Sequence, residues 1–187
     1  MSRRRIYVAA AFLAAGAAAT AVLTQVGRGG SERVRIGTGA VSALTRAAKT
    51  ADVLPADVVE LPFAAHNFAS ADGRGSRLVA TDGTTQIFAV PGKGRLLCVV
   101  EVDEAADTAG GACADRSVLL TGSIWTANVR EDGTKDVVGL VGDGHTYASS
   151  GARRVPVANN AFVLHDVAGD EVEVGSPDAA QTVSLSK

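Results

Sequence analysis

Aromatic residues are scarce in this chain: one tryptophan, two tyrosines and five phenylalanines make up 4% of its 187 residues. So few rings cannot pave a stacking platform for sugars or bases, and they are expected to fill the core. Cysteine is scarcer still. Two cysteines are too few for a disulfide-built miniprotein or a four-ligand zinc module. Five prolines among 21 glycines, without a three-residue period, exclude collagen. Basic charge is in no excess, with 18 Lys and Arg against 20 Asp and Glu, so nothing is available to displace counterions from phosphates. A nucleic acid is therefore not an expected partner. Apolar residues, by contrast, make up 47% of the chain, far more than a disordered sequence carries. Length and composition together describe one globular domain with an appendage.

The appendage is N-terminal. Arg3, Arg4 and Arg5 precede an uncharged, alanine-rich stretch from Ile6 to Val26. A cationic start followed by an apolar run reads as an export signal, with the arginines held on the cytoplasmic side. The stretch is long enough to cross roughly 30 Å of hydrocarbon at about 1.5 Å per residue. Ala19-Thr20-Ala21 fits a small-x-small cleavage site, whereas the nearly continuous run to Val26 fits a retained anchor. Both outcomes stay open. Ser2 to Val8 (SRRRIYV) also resembles a twin-arginine signal, which would carry the domain across already folded; a generic positive n-region is the plainer reading. Without residues 1–27, which hold three arginines and no acid, the net charge moves from −2 to −5. Such a domain repels phosphate and anionic headgroups.

Residues 28–50 read as a linker ending in a short helix over Val41–Lys49 (VSALTRAAK), and Pro55 and Pro62 are expected to stop regular structure. From Ser70 onward, short β-branched runs alternate with turn residues. Asp-Gly pairs occur at 72–73, 82–83, 132–133 and 143–144, and this dipeptide suits tight hairpins because both residues tolerate positive φ. Val155/Val157, Val172/Val174 and Val183/Leu185 alternate with polar neighbours, as half-buried antiparallel strands do. Leu96-Leu97-Cys98-Val99-Val100 is continuously apolar and predicts a central strand covered on both faces. Nine or ten strands fit between Ser76 and Ser186. The expected fold is all-β, an antiparallel sandwich or partly open barrel over residues 51–187, preceded by an N-terminal signal or transmembrane helix at 1–27. An α+β domain, with residues 41–61 giving a helix to the core, is the alternative.

Outside the cytoplasm, two cysteines in one small domain usually pair, so Cys98 and Cys113 are expected to form a disulfide pinning the acidic, glycine-rich loop Glu101–Gly111. No Cys-x-x-Cys motif favours redox activity. Within that loop Glu101, Asp103, Glu104 and Asp107 lack the spacing of a calcium loop and read as solvating charge.

Catalytic signatures are missing. There is no His-Glu-x-x-His, no Gly-x-Ser-x-Gly and no Walker spacing in Pro91–Arg95, so no metal, cofactor or catalytic residue is assigned. The one candidate functional turn is Val141–His145 (VGDGH), where Asp143 and His145 share a glycine-rich bend. A surface turn accounts for it equally well. His145 with Asp143 or Asp166 would serve a small secreted hydrolase; His165-Asp166 and Ser149-Ser150 supply the remaining residue types of a triad, which only geometry can assemble.

The segment Val137–Leu164 (VVGLVGDGHTYASSGARRVPVANNAFVL) resembles the C-terminal part of short exported or membrane-anchored proteins of high-GC actinobacteria. Leu44–Pro55 (LTRAAKTADVLP) and Val90–Cys98 are similar to them as well. About half the chain is covered. Gly142 stands where that pattern prefers proline, and His145 where it prefers an aliphatic residue. The resemblance implies a location and a fold, but no reaction. The functional expectation is an extracytoplasmic, membrane-tethered or secreted β-domain, a non-catalytic binding or structural module of the cell envelope, whose partner is an unknown envelope protein or ligand. Its N-terminal helix, if uncleaved, holds it to the membrane.

Overall fold

The computed structural model describes residues 39–70 and 73–185, together with the backbone of Arg5–Ile6. Apart from those two residues, the expected signal or anchor at 1–27 lies outside the described part, as does Asp72. Regular structure comprises β1 (Arg5–Ile6), α1 (Ala56–Val59), α2 (Pro62–Asn67), β2 (Arg77–Asp82), β3 (Thr85–Pro91), β4 (Leu96–Asp103), β5 (Thr108–Asp115), β6 (Ser123–Val129), β7 (Lys135–Val141), β8 (Tyr147–Ser150), β9 (Arg153–Pro156), β10 (Ala161–Val167), β11 (Glu171–Ser176) and β12 (Ala179–Ser184). Strands dominate, and they form three sheets, none of them closed. The first has the order β1-β5-β4-β3-β2, the second β10-β7-β6 and the third β12-β11-β8-β9. All neighbours are antiparallel except the short β1–β5 pair.

Side-chain alternation sets the layers. On β4, Leu97 and Val99 point into a cluster shared with Ile124, Val138 and Leu140 of the second sheet. Cys98, Val100 and Val102 point the other way, to a cluster closed by Val58 and Ala64 of the short helices and by Leu54 and Phe68 beside them. The apolar run at Leu96–Val100 is thus covered on both faces, as its composition predicts. β7 repeats the arrangement one layer on: Val138 and Leu140 face the first sheet, while Val137 and Val141 join Phe162, Leu164, Val172 and Val174 against the third. Each of the larger fully buried side chains contributes on the order of 1.5–3 kcal/mol. Gly139 lies opposite Phe162 in register, and a Cβ there would run into the ring, so the aromatic is accommodated by the absence of a side chain.

Several expectations need correction. Asp82-Gly83 and Asp132-Gly133 do turn hairpins, β2–β3 and β6–β7, but Asp143-Gly144 carries the chain from the second sheet to the third. Pro55 and Pro62 start helices instead of ending structure: Pro62 occupies the first position of α2, where its missing N–H costs nothing. The helix expected over Val41–Lys49 shrinks to a 3₁₀ turn at Ser42–Leu44. Asn160 accepts the Ala43 N–H and Asp143 the Ser42 N–H, both at 3.0 Å.

That segment is no free linker either. Val41 and Ala43 sit in the core, and Asp52 is buried at 3% exposure. The Asp52 carboxylate takes a two-pronged contact from Arg46 at 2.6 and 2.7 Å, plus the N–H groups of Lys49 at 2.6 Å and Leu78 at 2.8 Å. Arg46, foremost, holds its pKa well below the usual carboxylate range despite the opposing cost of burial. Asp52→Ala is expected to cost about 3–5 kcal/mol, read by urea unfolding, because it leaves Arg46 and two N–H groups without their acceptor. A cost under about 1 kcal/mol would mean that water replaces the carboxylate.

Candidate functional site

The disulfide is where the sequence places it. Cys98 and Cys113 are bonded and directly opposite each other on the paired strands β4 and β5, with Cα atoms 4.0 Å apart. Its role differs from the expected one. The strands continue beyond it to Asp103 and Thr108, leaving only residues 104–107 as a loop, so the bond staples two strands of a sheet instead of pinning a long loop.

The turn carrying Asp143 and His145 does not form an acid/base pair. Asp143 Oδ1 accepts from Asn160 Nδ2 at 2.7 Å and from the Ser42 N–H, and its own N–H donates to Ala40 O. Burial pushes its pKa up, but these donors prevail and hold it down. His145 is buried; its Nδ1 lies 2.9 Å from Gly142 O, and Nε2 has no hydrogen-bond partner among the described residues. Asp143 is therefore a clip for the chain at residues 40–43. Asp143→Ala is expected to lower stability by about 1–2 kcal/mol in thermal denaturation, through loss of hydrogen bonds to a charged acceptor. An unchanged midpoint would show the clip to be idle.

His145 also lies far from Asp166. Asp166 is held at the Asp136 end of β7, whereas His145 follows the Val141 end, and a strand rises about 3.3 Å per residue. Asp166 instead belongs to a charged cluster around His165. A bulge in β10 between Leu164 and Val167, with Asp166 at φ 55°, turns the His165 ring toward the first sheet. Its Nε2 meets Asp82 Oδ2 at 3.0 Å and its Nδ1 meets Asp136 Oδ1 at 3.1 Å. Arg130 bridges Asp136 at 2.8 Å and Asp166 at 2.5 Å; Arg153 adds a 3.1 Å contact to Asp166 and binds His165 O. Half-buried Asp136 pays a desolvation cost, but Arg130, His165 and the Asp166 N–H together leave its pKa lowered. With His165 protonated, three carboxylates balance two guanidiniums and one imidazolium.

Beside this cluster opens a cleft of about 510 Å³ between the β8–β9 and β10–β11 turns, lined among others by Ser150, Arg153, His165, Asp166 and Asp170. Ser150 and His165, two residue types of a triad, thus share one cleft. Both His165 nitrogens already face carboxylates, however, and Ser150 Oγ donates to Glu171 O at 3.1 Å. Neither is poised as nucleophile or base. Among the described residues no group of three His, Cys, Asp or Glu is arranged to hold a metal ion.

Compared with protein-family models, curated proteins and solved structures, the chain matches none of them.

The reading of the acidic stretch as solvating charge needs correction at its first residue. Glu101 does not solvate a loop: it is 9% exposed, on the face of β4 turned to the second sheet. Asn128 Nδ2 of β6 donates to Oε2 at 3.0 Å, and Oε1 has no partner among the described residues. Burial pushes its pKa up to about 7, against the Asn128 hydrogen bond and with a smaller push from Asp136. A charged residue interrupting an apolar run, Leu96 to Val102, was the available signal.

Proposed function

We propose that the chain is an extracytoplasmic β-domain, exported by its N-terminal segment and tethered by it when uncleaved, that serves the cell envelope as a binding or structural module. The observation that carries this reading is the Cys98–Cys113 bond, set with Cys98 wholly buried on a central strand. Disulfides persist in oxidising compartments and are rare in the cytosol. The apolar stretch after Arg3–Arg5 supports the same location. Clusters of apolar residues between successive sheets support a sandwich-type architecture, and the open cleft beside Arg153 and Asp170 offers a polar contact surface for a partner.

A non-catalytic role is favoured by how the histidines are engaged, with His165 held between two carboxylates and His145 turned onto Gly142 O. Profiling the oxidised protein against ester, peptide and glycoside substrates tests this, with His145→Gln and His165→Gln as controls. The reading expects no turnover above background. Hydrolysis lost in either variant would replace it with a hydrolase.

A further inference from the structure

At one end of the contact between the first and second sheets, every polar link described above passes through a protonatable side chain. Asp82 of the first sheet is joined to Asp136 of the second through His165, and Glu101 of the first to Asn128 of the second. Asn128 and Asp136 are direct neighbours across β6 and β7, so the two links form one row. Further along the contact the pins are amides: Asn159 donates to Val79 O, midway along β2, and Asn160 holds residues 42 and 43, which lie outside the sheets.

We propose that this row is a proton-operated clasp, closed while Glu101 holds its proton and loosened when Glu101 loses it, with the amide-pinned region as its hinge.

Ionised carboxylate oxygens only accept, so the two His165 contacts are both hydrogen bonds only while the ring bears both protons. Glu101 is surrounded by groups unsuited to a negative charge. β3 places Ile87 opposite it and β5 places Gly110; β6 offers the neutral Asn128; β7 brings the negative Asp136. Asp103, two residues along β4, is also acidic and is occupied by Thr84 and the N–H groups of residues 105 and 106. The neighbouring cations are engaged elsewhere: Arg130 binds Asp136 and Asp166, and Arg153 binds Asp166. An ionised Glu101 with one oxygen unpartnered among the described residues favours any opening that admits water.

Hydrogen exchange on the full chain, corrected for the intrinsic pH dependence of amide exchange, tests the clasp. Protection at β6 residues 126–129 and at the β2 end near Asp82 is expected to fall at least about tenfold between pH 5 and pH 7, while amides around Val141 and Asn160 keep theirs. Glu101→Gln retains the Asn128 partner without the charge and should flatten most of that fall. Asp82→Asn should lower protection at the clasp already at pH 5. Flat protection in the wild type, an equal fall in both regions, or an undiminished pH dependence in Glu101→Gln would each overturn the proposal.

Discussion

Replacing Cys98 and Cys113 together by alanine is expected to lower the unfolding free energy by about 3 kcal/mol, the loop-closure cost returned to the unfolded chain. For a domain of this size that corresponds to a fall in melting temperature of roughly 6–12 °C. Circular dichroism melts of wild type and variant, each with and without reductant, make the measurement. Reductant should move the wild type towards the variant and leave the variant unchanged. The physical reason is position. The bond joins the central strand β4 to β5 beside Phe88, Val90 and Val100, so the unfolded chain loses freedom while the native packing is already complete. A shift below about 2 °C would mean that sheet pairing alone supplies the constraint.

Glu101→Gln is expected to stabilise the protein above neutrality by on the order of 3 kcal/mol and to change little near pH 4–5. The folded carboxyl titrates at about 7, above its ordinary 4.5. Below the ordinary value both states hold the proton, and the group contributes no penalty. Between the two values only the folded state holds it, so wild-type stability declines as pH rises and levels off above 7. Glutamine removes that decline. Asp52 acts oppositely: its lowered pKa gives stability that is present above the ordinary carboxylate value and lost as pH falls. Wild-type stability should therefore peak at about pH 4–4.5, between the two limbs. Urea midpoints at pH 5 and pH 8 for wild type and Glu101→Gln decide it, and equal midpoints at pH 8 would remove Glu101 from the account.

What the sequence made legible is whatever depends on near neighbours. The unbroken run at Leu96–Val100 announced a doubly covered strand, and the valine alternation after residue 150 announced half-buried ones. Gly83 and Gly133 adopt the positive φ that their hairpins need. The cysteine pair was legible because two candidates leave one pairing. Where long-range bonds decided the outcome, local reasoning failed. Residues 41–50 read as linker and helix, yet Asn160 and Asp143 tie residues 42 and 43 to the second sheet. Asp143 and His145 looked like chemistry because they are adjacent in sequence, but each turns to a different structural partner. The cluster around His165 draws Asp82 from β2, Arg130 from the β6–β7 turn, Asp136 from β7 and Arg153 from β9, residues that no spacing rule connects.

The central claim is an exported, oxidised domain, and the intact mass of the native protein, measured without reductant on separated membrane and soluble fractions, tests it most directly. The account predicts a disulfide-bonded species with no free thiol, either full length in the membrane fraction or soluble and beginning near Val22. A full-length, soluble protein carrying two free thiols would contradict it.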